Sequence, residues 1–193
     1  MKIGLSGFIG SGKSTVASLA RAAGYPVLDA DAEAHVLYKN NLAVRTAMSQ
    51  TFGANILTAD GVDRKVLGSL VFSDEARLLQ LESIIHPALS EHLLRTLQKP
   101  VTGVLFLEGA LLPRWPALLQ QLDQVWDVRA PAEQRLQRII ARGLPPQEAQ
   151  RRIAQQESMP PLQHHELVVI DNSGTPADME RRVQNLFAKL ANK

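Results

Sequence analysis

The sequence predicts a doubly wound α/β fold, and three observations predict it. Five short apolar segments read as strands: KIGLS (2–6), YPVLD (25–29), VTGVLFL (101–107), QVWDV (124–128) and ELVVID (166–171). Most are continuous runs rather than alternations, as suits strands of a parallel sheet covered on both faces. Helical patterns separate them, and strand–helix alternation is the signature of an open parallel sheet. Finally, the glycine-rich stretch GFIGSGKST lies between the first strand and the first helix, where such sheets hold anionic ligands.

Taken in order, the first strand runs into the glycine stretch, and the first helix begins at Lys13 and stops near Gly24, a fitting C-terminal residue. The second strand ends in LDAD, placing Asp29 and Asp31 at the carboxyl edge of a strand expected to neighbour the first. From about Asn40 to Lys99 the chain offers three or four helical segments and no convincing strand: NNLAVRTAMSQTF, VDRKVLGSLV, DEARLLQLESII and PALSEHLLRTLQ. So long a helical insertion is no simple crossover and reads as a lobe over one edge of the sheet. Within it a helix is expected to open at His86-Pro87, because proline favours the first helical position. Pro131 marks another helix start, and a second helical excursion runs from Arg135 to about His165, interrupted by Pro145-Pro146 and Pro160-Pro161. The last strand precedes a helix at Pro176 with Thr175 as its N-cap. Residues 1–193 thus form one unit, with a core of 1–39, 100–134 and 166–193, a lobe of 40–99 and an excursion of 135–165.

Composition narrows the function. The 193 residues are 45% hydrophobic, enough for one well-buried core. The formal net charge of +2 is too small to argue for a nucleic-acid or membrane partner, though it suits a polyanionic small molecule. The sequence contains no cysteine, which excludes disulfides, thiolate metal sites and a cysteine nucleophile. Met1-Lys2 leads straight into a strand, without an apolar signal core, and no apolar run approaches the ~18–20 residues of a membrane span. A cytoplasmic protein, monomeric or weakly oligomeric, is expected.

Gly7-x-x-x-x-Gly12-Lys13-Ser14 fits the P-loop pattern in full and stands in the required strand–helix context. Glycines let the backbone amides converge on phosphate oxygens, and the helix turns its positive end to the same anion. Lys13 would reach the β- and γ-phosphates of ATP and Ser14 would ligate Mg²⁺, with Gly10, Ser11, Gly12 and Thr15 completing the cradle. No guanine-reading Asn-Lys-x-Asp segment is present, and Asp171 to Gly174 reads as a turn, so a GTPase switch is disfavoured. A mechanical ATPase of this length would be unusually small. A small-molecule kinase remains, and it needs a carboxylate to orient the acceptor hydroxyl. Asp31 is that candidate; Asp29 stands between this role and capping the helix that follows.

Beyond these residues, GFIGSGKST, VLDAD, FGANILTADGVDRKVLGSLVF, His86-Pro87, QRLQRIIARGLPPQEAQRRIAQQ and VVIDNSG, in this order, resemble dephospho-CoA kinase. The resemblance covers nearly the whole chain. It implies a P-loop kinase with a five-stranded parallel sheet flanked by helices, and ATP-dependent phosphorylation of the 3′-hydroxyl of dephospho-CoA. It also implies that residues 40–99 bind the CoA moiety, that 135–165 form a lid, and that Asp31 takes the hydroxyl proton. On the same grounds Arg64 and His86 are expected in the acceptor pocket, Arg138 and Arg142 on the transferring phosphoryl, and Asn172 near the adenine.

The three arginines at 135, 138 and 142 share one helix face, where like charges repel unless an anion offsets them. Arg135 stands where the family often has glutamine and is left out of the expected site. Glu108 stands where the family has an aspartate and could bond a water on Mg²⁺. Ala110 replaces a proline, Pro113-Arg114 replace an aromatic–acidic pair, and the lid is shortened around Arg142-Gly143-Leu144. His164-His165 has no ligand cluster nearby and is not expected to bind metal; Trp115 and Trp126 read as packing residues. The rival readings are a shikimate- or gluconate-kinase-like enzyme and a nucleotide-sensing module without transferase activity.

Overall fold

The computed structural model describes residues 1–71 and 74–191. Phe72, which closes the VF of the long central motif, and the last two residues of the expected core lie outside them. The chain divides into two compact units, one of residues 1–28 and 100–193, the other of 29–99.

The first unit is built on β1 (Lys2–Ser6), α1 (Lys13–Ala22) and β2 (Val27–Asp29), whose last residue begins the second unit. That second unit comprises α2 (Ala30–Asn40), α3 (Leu42–Phe52), the two-residue strands β3 (Leu57–Thr58) and β4 (Gly61–Val62), α4 (Arg64–Val71) and α5 (Glu75–Leu97). The chain then returns through β5 (Leu105–Glu108), α6 (Pro116–Leu119), β6 (Gln124–Arg129), α7 (Ala132–Ala141), α8 (Pro146–Glu157), β7 (Leu167–Asp171) and α9 (Pro176–Ala191).

The sheet is five-stranded and parallel, in the order β2-β5-β1-β6-β7. The second strand therefore does not neighbour the first as expected: β5 lies between them. Burial explains the order. β1, β5 and β6 are buried almost throughout and take the centre, whereas β2 is only half-buried and β7 partly exposed, as befits edges. The Phe106 amide donates to Pro26 O at 2.9 Å, fixing β5 against the run into β2. β5 also starts later than expected, because Gly103 turns the chain at φ 77°. Beneath the sheet Phe106, Trp126 and Phe187 pack ring to ring, joined by Tyr25. At α9, Thr175 Oγ1 accepts from Asp178 N–H while Asp178 Oδ2 accepts from Thr175 N–H, a reciprocal cap.

In the second unit, helix starts are fixed by one repeated device. Asp29, Asn41, Asp63 and Asp74 each accept a backbone amide from the turn that follows, a cap worth about 1 kcal/mol apiece. The expected break at His86-Pro87 does not occur: α5 runs through it, with Pro87 in its interior. Ile85, Leu89, Leu93 and Leu97 form a buried stripe at every fourth residue across that point. Burial of a continuous stripe outweighs the hydrogen bond that proline removes. The short β3–β4 hairpin is also a departure, since no strand was expected here. It depends on Gly61, whose φ is 129° and whose Cβ would come within 2.8 Å of Tyr38 O.

Candidate active site

The glycine loop follows β1 and ends at the first residue of α1. Gly10 and Gly12 have φ of 77° and 102°, left-handed values that side-chain-bearing residues avoid. They also lack space: a Cβ on Gly12 would lie 2.2 Å from Asn172 Nδ2, and one on Gly10 would lie 2.7 Å from Arg135 O. No side chain caps α1, so the Lys13 and Ser14 amides stay available to an anion at the positive end of the helix, while the Thr15 amide donates to Gly12 O at 3.0 Å. Ser14 and Thr15 are exposed in that turn.

Two predicted residues brace the loop from behind. Asn172 Nδ2 donates to Ser11 O at 2.7 Å. Arg138 donates to Asn172 O at 2.8 Å and to Gly10 O at 3.3 Å. The loop, the turn after β7 and α7 are thereby interlocked. Arg142 is exposed at the C-cap of α7.

Lys13 Nζ lies 2.9 Å from Glu108 Oε1, and Arg21 Nη2 stands 3.8 Å from the other carboxylate oxygen. Glu108 is 5% exposed at the end of β5. Its carboxylate and the exposed Ser14 hydroxyl are hard oxygen donors of the kind Mg²⁺ takes, and a triphosphate fits the open amides beside them. Among the described residues no cluster of three or more His, Cys, Asp or Glu is placed to hold a metal. His164 is engaged by backbone, its Nε2 3.1 Å from Leu122 O. No described helix is long and apolar enough to cross a membrane.

The second unit carries the other predicted residues. Asp29 Oδ1 accepts from Asp31 N–H at 2.9 Å and from Ala32 N–H at 3.2 Å, so the choice left open for Asp29 includes capping in fact. Asp31 is exposed in the first turn of α2, and its carboxylate accepts no hydrogen bond from the described residues. Sequence reasoning missed its neighbours His35 and Tyr38. Their spacing from Asp31 puts all three on one face of α2, and that was the available signal. Burial, then the charge of Arg64, lowers the His35 pKa, against the opposing pull of Asp31 and Asp29. Burial raises that of Tyr38, with Arg64 opposing and Asp31 adding. Arg64, exposed at the start of α4, thus shares this polar face with Asp31. His86 is half-buried within α5 rather than at a helix start. A further histidine on that helix, His92, is held at 2.6 Å by Glu33 of α2.

Arg135, left out of the expected site, is buried at 4% exposure and packs over the Phe8 ring of the loop. Its omission follows from the glutamine that the family often has at this position, a difference that carries no sign of the ring an arginine here would cover.

A family profile described as CoaE: Dephospho-CoA kinase matches residues 1–178. Dephospho-CoA kinase of Geobacter sulfurreducens is 39% identical over 192 residues, covering 97% of each chain. The crystal structure of TT1252 from Thermus thermophilus aligns at TM-score 0.69 with 34% identity, covering 98% of this chain and 97% of that one. Dephospho-CoA kinase from Campylobacter jejuni aligns at TM-score 0.66 with 25% identity, covering 100% and 98%. With a P-loop on a five-stranded parallel sheet and likeness along the whole chain, this protein belongs to the dephospho-CoA kinase family.

Proposed function

We propose that the chain transfers the γ-phosphoryl group of ATP to the ribose 3′-hydroxyl of dephospho-CoA, giving coenzyme A and ADP. The observation that carries this is an exposed, unengaged carboxylate, Asp31, grouped with the cation Arg64 on a helical unit, in a chain whose loop is shaped for phosphates. The new bond joins the 3′-oxygen to the γ-phosphorus. The bond to the β,γ-bridging oxygen breaks, its electron pair leaves with ADP, and the hydroxyl proton passes to Asp31.

The loop from Gly10 to Thr15 holds the triphosphate, and Lys13 exchanges Glu108 for phosphate oxygens. Arg138 and Arg142, one turn apart on α7, balance charge on the transferring group, and residues 135–165 act as a lid that excludes water. Asn172, which already braces the loop, borders the adenine. Residues 40–99 receive the CoA moiety, with Arg64 meeting an anionic group and His86 a polar one. Ser14 and Glu108, the latter through a water, would hold Mg²⁺, which supplies charge neutralisation to the triphosphate. We further place the protein in the cytoplasm, as a monomer or weak oligomer without nucleic-acid or membrane partners.

A coupled assay of ADP release offering dephospho-CoA, shikimate and gluconate side by side tests the assignment. Turnover with dephospho-CoA at least about a hundredfold above the others is expected, since a site built for one acceptor discriminates strongly. Preference for either small acid, or nucleotide binding with no ADP release, defeats it.

A further inference from the structure

Three consecutive residues of the glycine loop rest on the lid helices. Ile9 N–H donates to Gln156 Oε1 of α8 at 2.5 Å, and the Ile9 side chain packs into the core that α7 and α8 share, against Ile139, Ala149 and Ile153. Gly10 presses against the main chain of Arg135, close enough to exclude any Cβ. The guanidinium of Arg135 covers Phe8, its carbon 5.3 Å from the ring centroid. Phe8 and Arg135 also border a cavity of about 300 Å³, lined besides by Ser11, Val128, Pro113 and Pro161. Where the cavity adjoins it the loop lacks the close packing of a protein interior, so its direct contacts with the helix pair supply the stiffness.

Arg135 is the centre of this contact and an expensive residue to bury. Glu157, half-exposed at the end of α8, offsets its charge at 2.5 Å. Nη1 has no hydrogen-bond partner among the described residues. What the guanidinium gains besides Glu157 is the electron-rich face of Phe8, an interaction strengthened by desolvation. The pair also ties the first turns of α7 to the last residue of α8, closing the helix pair at its base.

We propose that Arg135 is a positioning residue: the stack Phe8–Arg135–Glu157 sets the geometry of the phosphate loop, so that the arrangement of the lid helices is read out as nucleotide affinity. Its kinetic part rests on the kinase reading above, while its binding part does not. Arg135→Met keeps the length and apolar stem but removes the charge. Titration with a non-hydrolysable ATP analogue, without acceptor, is expected to show affinity weakened about 5–30-fold, the loss of about 1–2 kcal/mol of loop organisation. KM for ATP should rise by the same factor, with kcat within about threefold and KM for the acceptor unchanged. Arg135→Lys, which retains a cation over the ring, should recover most of that affinity. Glu157→Gln, at a half-exposed position that will not threaten folding, should weaken nucleotide binding in the same direction. The double variant with Arg135→Met should bind no worse than Arg135→Met alone.

Unchanged nucleotide affinity in Arg135→Met and Glu157→Gln overturns the proposal. So does a lower melting temperature with affinity retained, or effects of the two changes that simply multiply. If the unaltered protein binds the analogue but does not phosphorylate dephospho-CoA, the kinase reading fails, and the titrations still decide this one.

Discussion

The two regions that carry the site residues are built on opposite plans. Around the glycine loop the long polar side chains are spoken for: Lys13 by Glu108, Asn172 by Ser11, Arg138 by three carbonyl oxygens and Arg135 by Glu157. Around Asp31 the polar face of α2 is exposed, and the carboxylate has no hydrogen-bond donor among the described residues. The anchoring there is done two residues earlier, by the Asp29 cap. A preorganised cradle suits a ligand whose charge must be met by fixed dipoles without reorganisation. A loosely held carboxylate suits a group that must accept a hydroxyl and its proton.

Substitutions in the two regions should therefore fail differently. The largest effect is expected for Asp31→Asn: kcat lower by about 10²–10⁴-fold, the usual span of a lost general base, with melting temperature and nucleotide affinity unchanged. Steady-state kinetics beside titration with an ATP analogue decides, and near-normal turnover would remove Asp31 from the proton-accepting role. Lys13→Met should combine two losses. Turnover efficiency falls about 10²–10³-fold as transition-state charge loses its partner, and stability falls by about 3 kcal/mol because buried Glu108 is left without its closest cation. Chemical denaturation with kinetics on the same sample checks both; a stable but inactive variant would mean that the pair contributes little to folding.

Smaller effects separate the cap from the chemistry. Asp29→Ala should cost about 1 kcal/mol, whereas Asp29→Asn, another good cap, should cost little. Both should retain turnover within about threefold if capping is the main work of Asp29. The smallest effect is on protonation. His35 has a lowered pKa in the folded chain, so folding favours its neutral ring. That contribution to stability is fully present above the ordinary value of 6.5 and is lost as pH falls through the lowered one. In Arg64→Ala the second cause of the lowering is gone, and the His35 titration followed by NMR should move upward. A midpoint that stays put would separate Arg64 from this face.

The glycine loop was legible because its chemistry depends on glycines, a lysine and a hydroxyl at fixed spacing, between elements whose apolar runs are equally plain. The cap at Thr175 was legible for the same local reason. The break at Pro87 was misread because proline is a strong local signal, while the stripe from Ile85 to Leu97 that overrides it acts through burial. The β3–β4 hairpin escaped because two-residue strands have no period to detect. Arg135 escaped because charge patterning on a helix cannot reveal that one arginine of three lies over an aromatic ring contributed by a residue 127 positions earlier.

By itself, then, the sequence determined what is set over a few residues: the strands as apolar runs, the phosphate loop, several helix starts and the carboxylate that follows the second strand. Tertiary structure alone decided the place of β5 between β2 and β1, the continuity of α5, and the partners of Lys13, Arg138 and Arg135. The reason is physical. Local propensities amount to about 1 kcal/mol each, whereas strand order and buried charge pairing depend on how much apolar surface leaves water and on which charges must be met once it has.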